Sequence, residues 1–144
     1  MAVPPRVDYQ ALAEFRYHIR RFVRVSEEAA REAGLEPQQH QLLLTVRGLP
    51  QDDIATIKRL AERLQLRHHS VVGLVDRLER AGLVERRRDN VDQRRVIVAL
   101  TAKGDSLLED LSRFHQREIE SLAPALMATL EAIVPGGTMA ATVT

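Results

Sequence analysis

The spacing of hydrophobic residues changes in the middle of this chain, and that change restricts the fold more than any other feature. Apolar residues recur at helical spacing over residues 54–64 and again over 71–78, with only a short break between the two segments. Past Gly82 the pattern becomes that of strands. The middle of the chain therefore predicts two short helices joined by a tight turn, followed by strands.

The strand pattern occupies residues 83–87 and 95–100, and the segment between them is charged and rich in turn-forming residues. This arrangement predicts a hairpin with a basic tip. A helix, a tight turn, a second helix and a basic hairpin together form a winged helix-turn-helix. The predicted fold class is mainly α with a small β-hairpin wing.

A long amphipathic helix is predicted over residues 9–33, and Gly34 follows as a stop. Its apolar residues, at steps of three and four, are Leu12, Phe15, Ile19, Phe22 and Val25. They fit a core within one chain or a contact with a second subunit, and spacing does not separate these alternatives.

A second helix is expected to begin at Glu36-Pro37, where proline in the first turn costs no hydrogen bond, and to end at Gly48. Its buried residues are expected to be Leu42, Leu43, Leu44 and Val46. We expect the third helix to follow Asp52-Asp53, whose carboxylates suit a helix N-terminus.

Thr101 is a favourable N-cap for a second long helix. Pro124 is expected to restart a helix, because proline interrupts the hydrogen bonds of a helix interior. The glycine-containing segment 135–144 is expected to be a disordered tail.

Charge is distributed unevenly, although the 144 residues carry a net charge of only +1. Residues 54–104 hold twelve Lys/Arg and six Asp/Glu, a net charge of +6, and the remainder carries −5. A basic module between acidic flanks indicates a polyanionic partner. Because only 3% of the residues are aromatic, stacking on single-stranded nucleic acid is not expected.

The second short helix has the right form to enter a major groove with its N-terminal side chains. Arg67 suits a guanine edge, Ser70 and the histidines suit bases or phosphates, and Val72 suits a thymine methyl. Arg77 suits either a phosphate contact or an ion pair within the predicted winged helix-turn-helix. The base-facing candidates are Arg67, His68, His69, Ser70, Val72 and Gly73, and Lys58 is a candidate on the preceding helix.

The hairpin carries five arginines, of which only some can face DNA because side chains alternate along a strand. Arg86, Arg88 and Arg94 are the candidates, and a simple solvated face is the alternative for residues 86–88. Arg94 at the tip suits a narrow minor groove. Asp92 stands two residues earlier and is expected to brace its guanidinium.

Residues 57–84 resemble MarR-type transcription regulators, in particular the run from Arg67-His68-His69-Ser70 to Ala81-Gly82-Leu83-Val84. Asp92-Gln93-Arg94, followed by Leu100-Thr101-Ala102-Lys103-Gly104, is similar to that family's wing and the helix start after it. The resemblance covers residues 36–108. Arg67 and Gly73 differ from many relatives, which carry a small hydroxyl residue and a longer polar residue there.

This resemblance implies one domain over residues 1–144, with a DNA-binding lobe at 36–104 and dimerisation helices at 9–35 and 105–134. It implies a homodimer that places two recognition helices on a pseudo-palindromic double-stranded operator and represses until a small ligand releases it. Family ligand pockets lie between the dimer helices and the lobe. The candidates for one here are Phe15, Tyr17, His40 and Arg47.

Two other functions remain as alternatives. An enzyme is disfavoured because the sequence has no phosphate loop, catalytic triad spacing or metal-ligand cluster, and adjacent histidines such as His68-His69 diverge on a helix. No cofactor and no metal are expected. A winged-helix module that binds protein without binding DNA is the second alternative.

Residues 1–9 lack the features of a secretory signal, and no apolar run approaches the roughly 20 residues of a membrane span. The sequence contains no cysteine, which fits a reducing compartment and excludes cysteine-based peroxide sensing. We expect the protein to work in the cytoplasm and to have no membrane partner.

Overall fold

The computed structural model describes residues 2–4 and 6–134. The expected disordered tail, residues 135–144, lies outside the described residues. Five helices and one two-stranded antiparallel sheet are present in the described part. In chain order they are α1 Tyr9–Glu32, α2 Pro37–Arg47, α3 Ile57–Leu64, α4 His68–Arg80, β1 Val84–Arg88, β2 Val96–Leu100 and α5 Ala102–Ile133. None of the described helices is long and apolar enough to cross a membrane.

The chain forms two compact units. One spans Glu27–Arg113, and the other combines the chain up to Ser26 with the chain from Phe114 onward. The first, called the lobe below, contains α2, α3, α4 and the hairpin, together with the end of α1 and the start of α5. Its core consists of aliphatic side chains with almost no exposed surface, the largest being Leu42, Leu43, Leu60, Leu74 and Leu78. Leu44 was expected in this core, but it is 44% exposed.

Helix α2 begins where the sequence predicts, with Glu36 as N-cap and Gln39 completing a capping box. The expected start of α3 was wrong. Thr56 is the N-cap, and its Oγ1 accepts a hydrogen bond from Arg59 N at 3.1 Å. Residues 54–55 precede the helix instead, and Ala55 O accepts a hydrogen bond from Val98 N at 2.9 Å on the hairpin.

The hairpin pairs β1 with β2 from Val84 opposite Leu100 to Arg88 opposite Val96. Val84 and Val98 are buried against the lobe core, which fixes one face of the sheet inward. The other face and the tip remain available to a partner. The predicted fold class, mainly α with a hairpin wing, is confirmed.

Helix α5 starts at the expected N-cap, since Thr101 Oγ1 accepts a hydrogen bond from Gly104 N at 3.1 Å. The expected restart at Pro124 was wrong, because the helix continues through it to Ile133. Proline removes one main-chain donor and leaves the carbonyl of Glu120 without its usual partner. Glu120 is exposed, so water can satisfy that carbonyl.

The second unit, called the helical unit below, is built from the first part of α1 and the last part of α5. Ala11, Ser26 and His115 are its buried residues, and the rings of Phe22 and His115 lie 6.2 Å apart. Several large apolar side chains remain exposed on this unit. They are Leu12, Tyr17, Ile19, Val23, Ile119 and Met127.

Candidate nucleic-acid interface

The turn between α3 and α4 is fixed by one residue in the left-handed region. Gln65 has a φ of 55°, and its N–H donates to Ala61 O and Glu62 O, which ends α3. Arg67 is extended and is the N-cap of α4. This tight connection orients α4 on the lobe with its first turn accessible.

The buried face of α4 consists of Val71, Leu74, Val75 and Leu78. Because these residues anchor one side of the helix, the opposite side of its N-terminal half is accessible. Arg67, His68 and His69 are exposed, whereas Ser70, Val72 and Gly73 are partly accessible. The structure thus brings the six base-facing candidates together around the first two turns of α4.

Carboxylates hold many of the basic side chains of the lobe. Arg59 lies 2.6 Å from Asp53, and this hydrogen-bonded contact, with Glu62 beside it, raises the pKa of Arg59 above its ordinary value. Arg77 binds Glu36 through two hydrogen bonds, of 3.1 and 3.2 Å. Arg77 therefore makes the ion pair within the lobe that the sequence left open as an alternative to a phosphate contact.

Other basic side chains have no carboxylate partner within the described part of the chain. On α3 and α4 they are Lys58 and Arg63, Arg67 at the start of α4 and Arg80 at its end, all exposed. Arg88 and Lys103 contact main-chain oxygens instead. Arg63 was not among the site residues expected from the sequence. The signal that separates Arg63 from Arg59 is the tertiary pairing of Arg59 with Asp53, which a single sequence does not display.

The wing tip is held by short-range contacts. Arg95 Nε lies 3.2 Å from Asp89 Oδ2, and Arg88 Nη1 donates to Gln93 O at 2.9 Å. Asp92 Oδ1 accepts hydrogen bonds from the main-chain N of Arg94 at 3.0 Å and from its Nε at 3.3 Å. The Arg94 side chain is nevertheless 93% exposed. Asp92 therefore fixes the Arg94 main chain, while most of the Arg94 side chain projects into solvent.

The four ligand-pocket candidates do not form one cluster within either unit. Phe15 and Tyr17 belong to the helical unit, and Tyr17 is half exposed. In the lobe, His40 is buried, with its Nδ1 3.3 Å from Gln41 Nε2. Arg47 is exposed, and its Nε donates to Asp105 Oδ1 at 2.9 Å. A ligand role for these residues remains a prediction.

An open cleft of about 490 Å³ in the lobe lies between the end of α2, β2 and the start of α5. Among the residues described, no group of three or more His, Cys, Asp or Glu side chains is arranged to hold a metal ion.

A helix-turn-helix followed by a β-hairpin wing defines the winged-helix class. The same arrangement occurs in a single-residue mutant of MepR from Staphylococcus aureus bound to an oligodeoxyribonucleotide, with a TM-score of 0.64, 24% identity, and coverage of 83% of this chain and 84% of that one. At this identity the likeness concerns the fold.

Sequence comparison identifies the family. Residues 33–95 match the family model described as MarR family. The transcriptional regulator FarR of Neisseria gonorrhoeae is 34% identical over 66% of this chain, which spans only 63% of FarR. The organic hydroperoxide resistance transcriptional regulator of Bacillus subtilis is 30% identical, with coverage of 67% of this chain and 70% of that protein. The chain belongs to the MarR family, as the sequence motifs predicted.

Proposed function

We propose that this protein is a homodimeric transcription regulator that binds a pseudo-palindromic double-stranded operator. One observation carries the proposal: the accessible first turns of α4, the unpaired cations of α3 and the projecting Arg94 all belong to residues 54–104, which carry a net charge of +6. A major groove accepts an α-helix, and the adjacent minor groove accepts a basic tip.

The proposed contacts divide by chemistry. Base edges are contacted by Arg67, His68, His69, Ser70, Val72 and Gly73. Phosphates or the minor groove are contacted by Lys58, Arg88 and Arg94. Arg63 joins them because it is exposed, lacks a carboxylate partner in the described chain and lies in the last turn of α3, next to the start of α4. Arg77 and Arg86 are already engaged by carboxylates.

We propose that residues 9–35 and 105–134 are dimerisation helices, with the dimer interface on the helical unit, and that residues 36–104 are the DNA-binding part of the lobe. Support comes from exposed apolar side chains of that unit, since Leu12, Ile19 and Val23 recur at steps of seven and four on one face of α1. An exposed apolar face of this kind marks an interaction site. A second copy of the chain would cover them and would pair two lobes on the two half-sites of an operator.

The regulatory action follows from the family. We propose that the dimer represses by occupying a promoter, that a small molecule releases it, and that it acts in the cytoplasm, without catalysing a reaction. A cysteine-based peroxide response is not part of this proposal, because the sequence contains no cysteine.

The proposal is tested by binding of the purified protein to a labelled duplex from its own upstream intergenic region and to a scrambled duplex of equal length. Preference for the upstream duplex supports a sequence-specific regulator. Absence of binding to both duplexes contradicts the proposal and leaves the protein-docking module as the alternative. Equal binding to both keeps DNA as the partner but places the operator elsewhere.

His69→Ala and Ser70→Ala are expected to change the preference among operator sequences more than the affinity for scrambled DNA, because these side chains lie on the base-facing turns of α4. Loss of a good base contact costs about 1–3 kcal/mol of discrimination. Competition assays with single-base operator variants measure this. An equal loss on every duplex would show that these residues act on the backbone.

Gly73→Ala is expected to raise the free energy of unfolding by about 0.5–1 kcal/mol, because alanine favours a helix interior over glycine. The added Cβ would lie 3.2 Å from Arg77 Nη1, the end of a flexible side chain that can move aside. The same methyl would occupy the groove-facing side of α4 and lower DNA affinity. Denaturant unfolding and DNA titration separate the effects, and unchanged affinity would place Gly73 outside the interface.

A further inference from the structure

Arg86 connects the wing to the recognition helix through three hydrogen bonds. Its Nη2 donates to Asp76 Oδ1 at 2.7 Å and its Nη1 to Glu79 Oε1 at 3.0 Å. Its main-chain N–H donates to Glu79 Oε2 at 3.1 Å. The side chain is 29% exposed, less than its two acceptors. The first strand of the wing is thus tied to the C-terminal half of α4.

This connection is specific to one side of β1. Arg87 is the next residue and points to the opposite face of the strand, where it pairs with Glu85 of the same strand. A planar guanidinium can reach two carboxylates in fixed directions, whereas a lysine ammonium cannot reproduce that fork. Position 86 therefore requires arginine for geometry as well as for charge.

The local charge at Arg86 disfavours a phosphate contact. One positive group lies within hydrogen-bonding distance of two carboxylates, so an incoming phosphate would meet a surplus of negative charge. We infer that Arg86 is a positioning residue: it fixes the wing against α4 so that both reach DNA together, and it does not itself neutralise a phosphate. This inference rests on the proposed DNA-binding function.

Removing the two acceptors gives the sharpest test, because the two accounts then predict opposite signs. In the double variant Asp76→Ala and Glu79→Ala, both acceptor groups and two negative charges disappear beside the DNA-binding surface, and electrostatics alone would strengthen binding. The positioning role predicts weaker binding instead, by about tenfold, which corresponds to ~1.4 kcal/mol.

The matched control is Glu85→Ala, which removes a neighbouring carboxylate without touching α4. It is expected to leave affinity unchanged or slightly raised. Tighter binding of the double variant, to the same extent as the control or beyond it, overturns the inference.

A second arm replaces Arg86 itself with lysine or glutamine and measures affinity against salt. We expect both variants to bind about tenfold more weakly, with the slope of log affinity against log salt unchanged, because no phosphate contact is lost. A direct contact predicts a slope shallower by about 0.9 for each lost phosphate. It also predicts recovery in Arg86→Lys, and either of these results overturns the inference, as does wild-type affinity in both variants.

Hydrogen exchange of the DNA-free protein separates failure of this inference from failure of the proposed function. Amides of β1 and β2 are expected to exchange faster in Arg86→Gln, while Arg87→Gln leaves them protected. Unchanged exchange in both variants contradicts the positioning role. If the wild-type protein bound no duplex, the proposed function would fail, and the exchange result would still report on the connection between wing and helix.

Discussion

Replacing Arg94 with alanine is expected to weaken binding to operator and scrambled DNA alike, by about 100-fold if each wing of the dimer contributes about 1.4 kcal/mol. The reason is geometric: Asp92 accepts hydrogen bonds from the main-chain N and the Nε of Arg94, and the Arg94 side chain is 93% exposed at the wing tip. A positive charge at the wing tip interacts with the phosphate backbone and with the minor groove, which are present in every duplex. Fluorescence anisotropy on both duplexes measures the loss.

The control for this variant is Arg80→Ala, which removes the same charge from the last turn of α4. Arg80 also has no carboxylate partner among the described residues, but it lies outside the proposed contact set. We expect its loss to change affinity by no more than about threefold, the effect of a distant charge. Equal losses for Arg80→Ala and Arg94→Ala would contradict a specific role for the wing tip.

Replacing Gly104 with alanine is expected to lower the free energy of unfolding by about 3 kcal/mol, the cost of overpacking a rigid site. An added Cβ would lie only 2.0 Å from the main-chain oxygen of Leu83 and 2.9 Å from its carbonyl carbon. Both contacts are backbone atoms, and Leu83 O also accepts the N–H of Thr101 at 3.1 Å. The start of α5 must therefore move away from the hairpin.

The Gly104→Ala effect has the opposite sign to the helix propensities of the two residues, which favour alanine by about 1 kcal/mol. Gly73→Ala serves as the matched control, because it makes the same change at a position where the added Cβ meets only the flexible end of Arg77. Thermal unfolding at one fixed protein concentration should show a fall in Tm of about 6–12 °C for Gly104→Ala. A stability equal to or above that of the wild type would refute the close approach of α5 to Leu83.

The order of helices and strands was predictable because hydrophobic residues recur at the spacing typical of each element, and a turn-forming or capping residue marks where it ends or begins. Gln65, Gly82 and Thr101 occupy positions that separate one pattern from the next, and the structure places element boundaries at or beside all three. Local signals of this kind act over a few residues and need no tertiary information. They identified the winged helix and, through the motifs around Arg67 and Gly104, the family.

The two errors in element boundaries have tertiary or solvent causes. The N-terminus of α3 has three candidate capping residues, Asp52, Asp53 and Thr56. Thr56 is the N-cap, because Ala55 is hydrogen-bonded to the hairpin and the helix begins only after it. At Pro124 the helix continues despite a missing hydrogen bond, because the carbonyl that loses its partner is accessible to water. Neither circumstance is recorded in the local sequence.

The roles of the arginines were the least predictable part of the site. Arg86 and Arg94 look alike in the sequence, yet Arg86 binds two carboxylates of α4 and Arg94 projects from the tip. The carboxylate partners of Arg86 are seven or more residues away in the sequence, whereas the partner of Arg94 is two residues away. The partner of Arg94 can be predicted from a single sequence because it is a near neighbour, whereas the partners of Arg86 are brought close only by the fold.

We expect the basic residues 54–104 to bind the phosphates of duplex DNA as well as its bases, and a salt titration tests this central expectation most directly. Affinity for the upstream duplex is measured between about 50 and 200 mM salt, a range over which a protein with six to ten phosphate contacts loses about 10³- to 10⁵-fold in affinity. We predict a loss of that size, with preference for the upstream duplex retained. Undetectable duplex binding at the lowest salt, or an affinity that changes less than about tenfold across the range, would contradict the account.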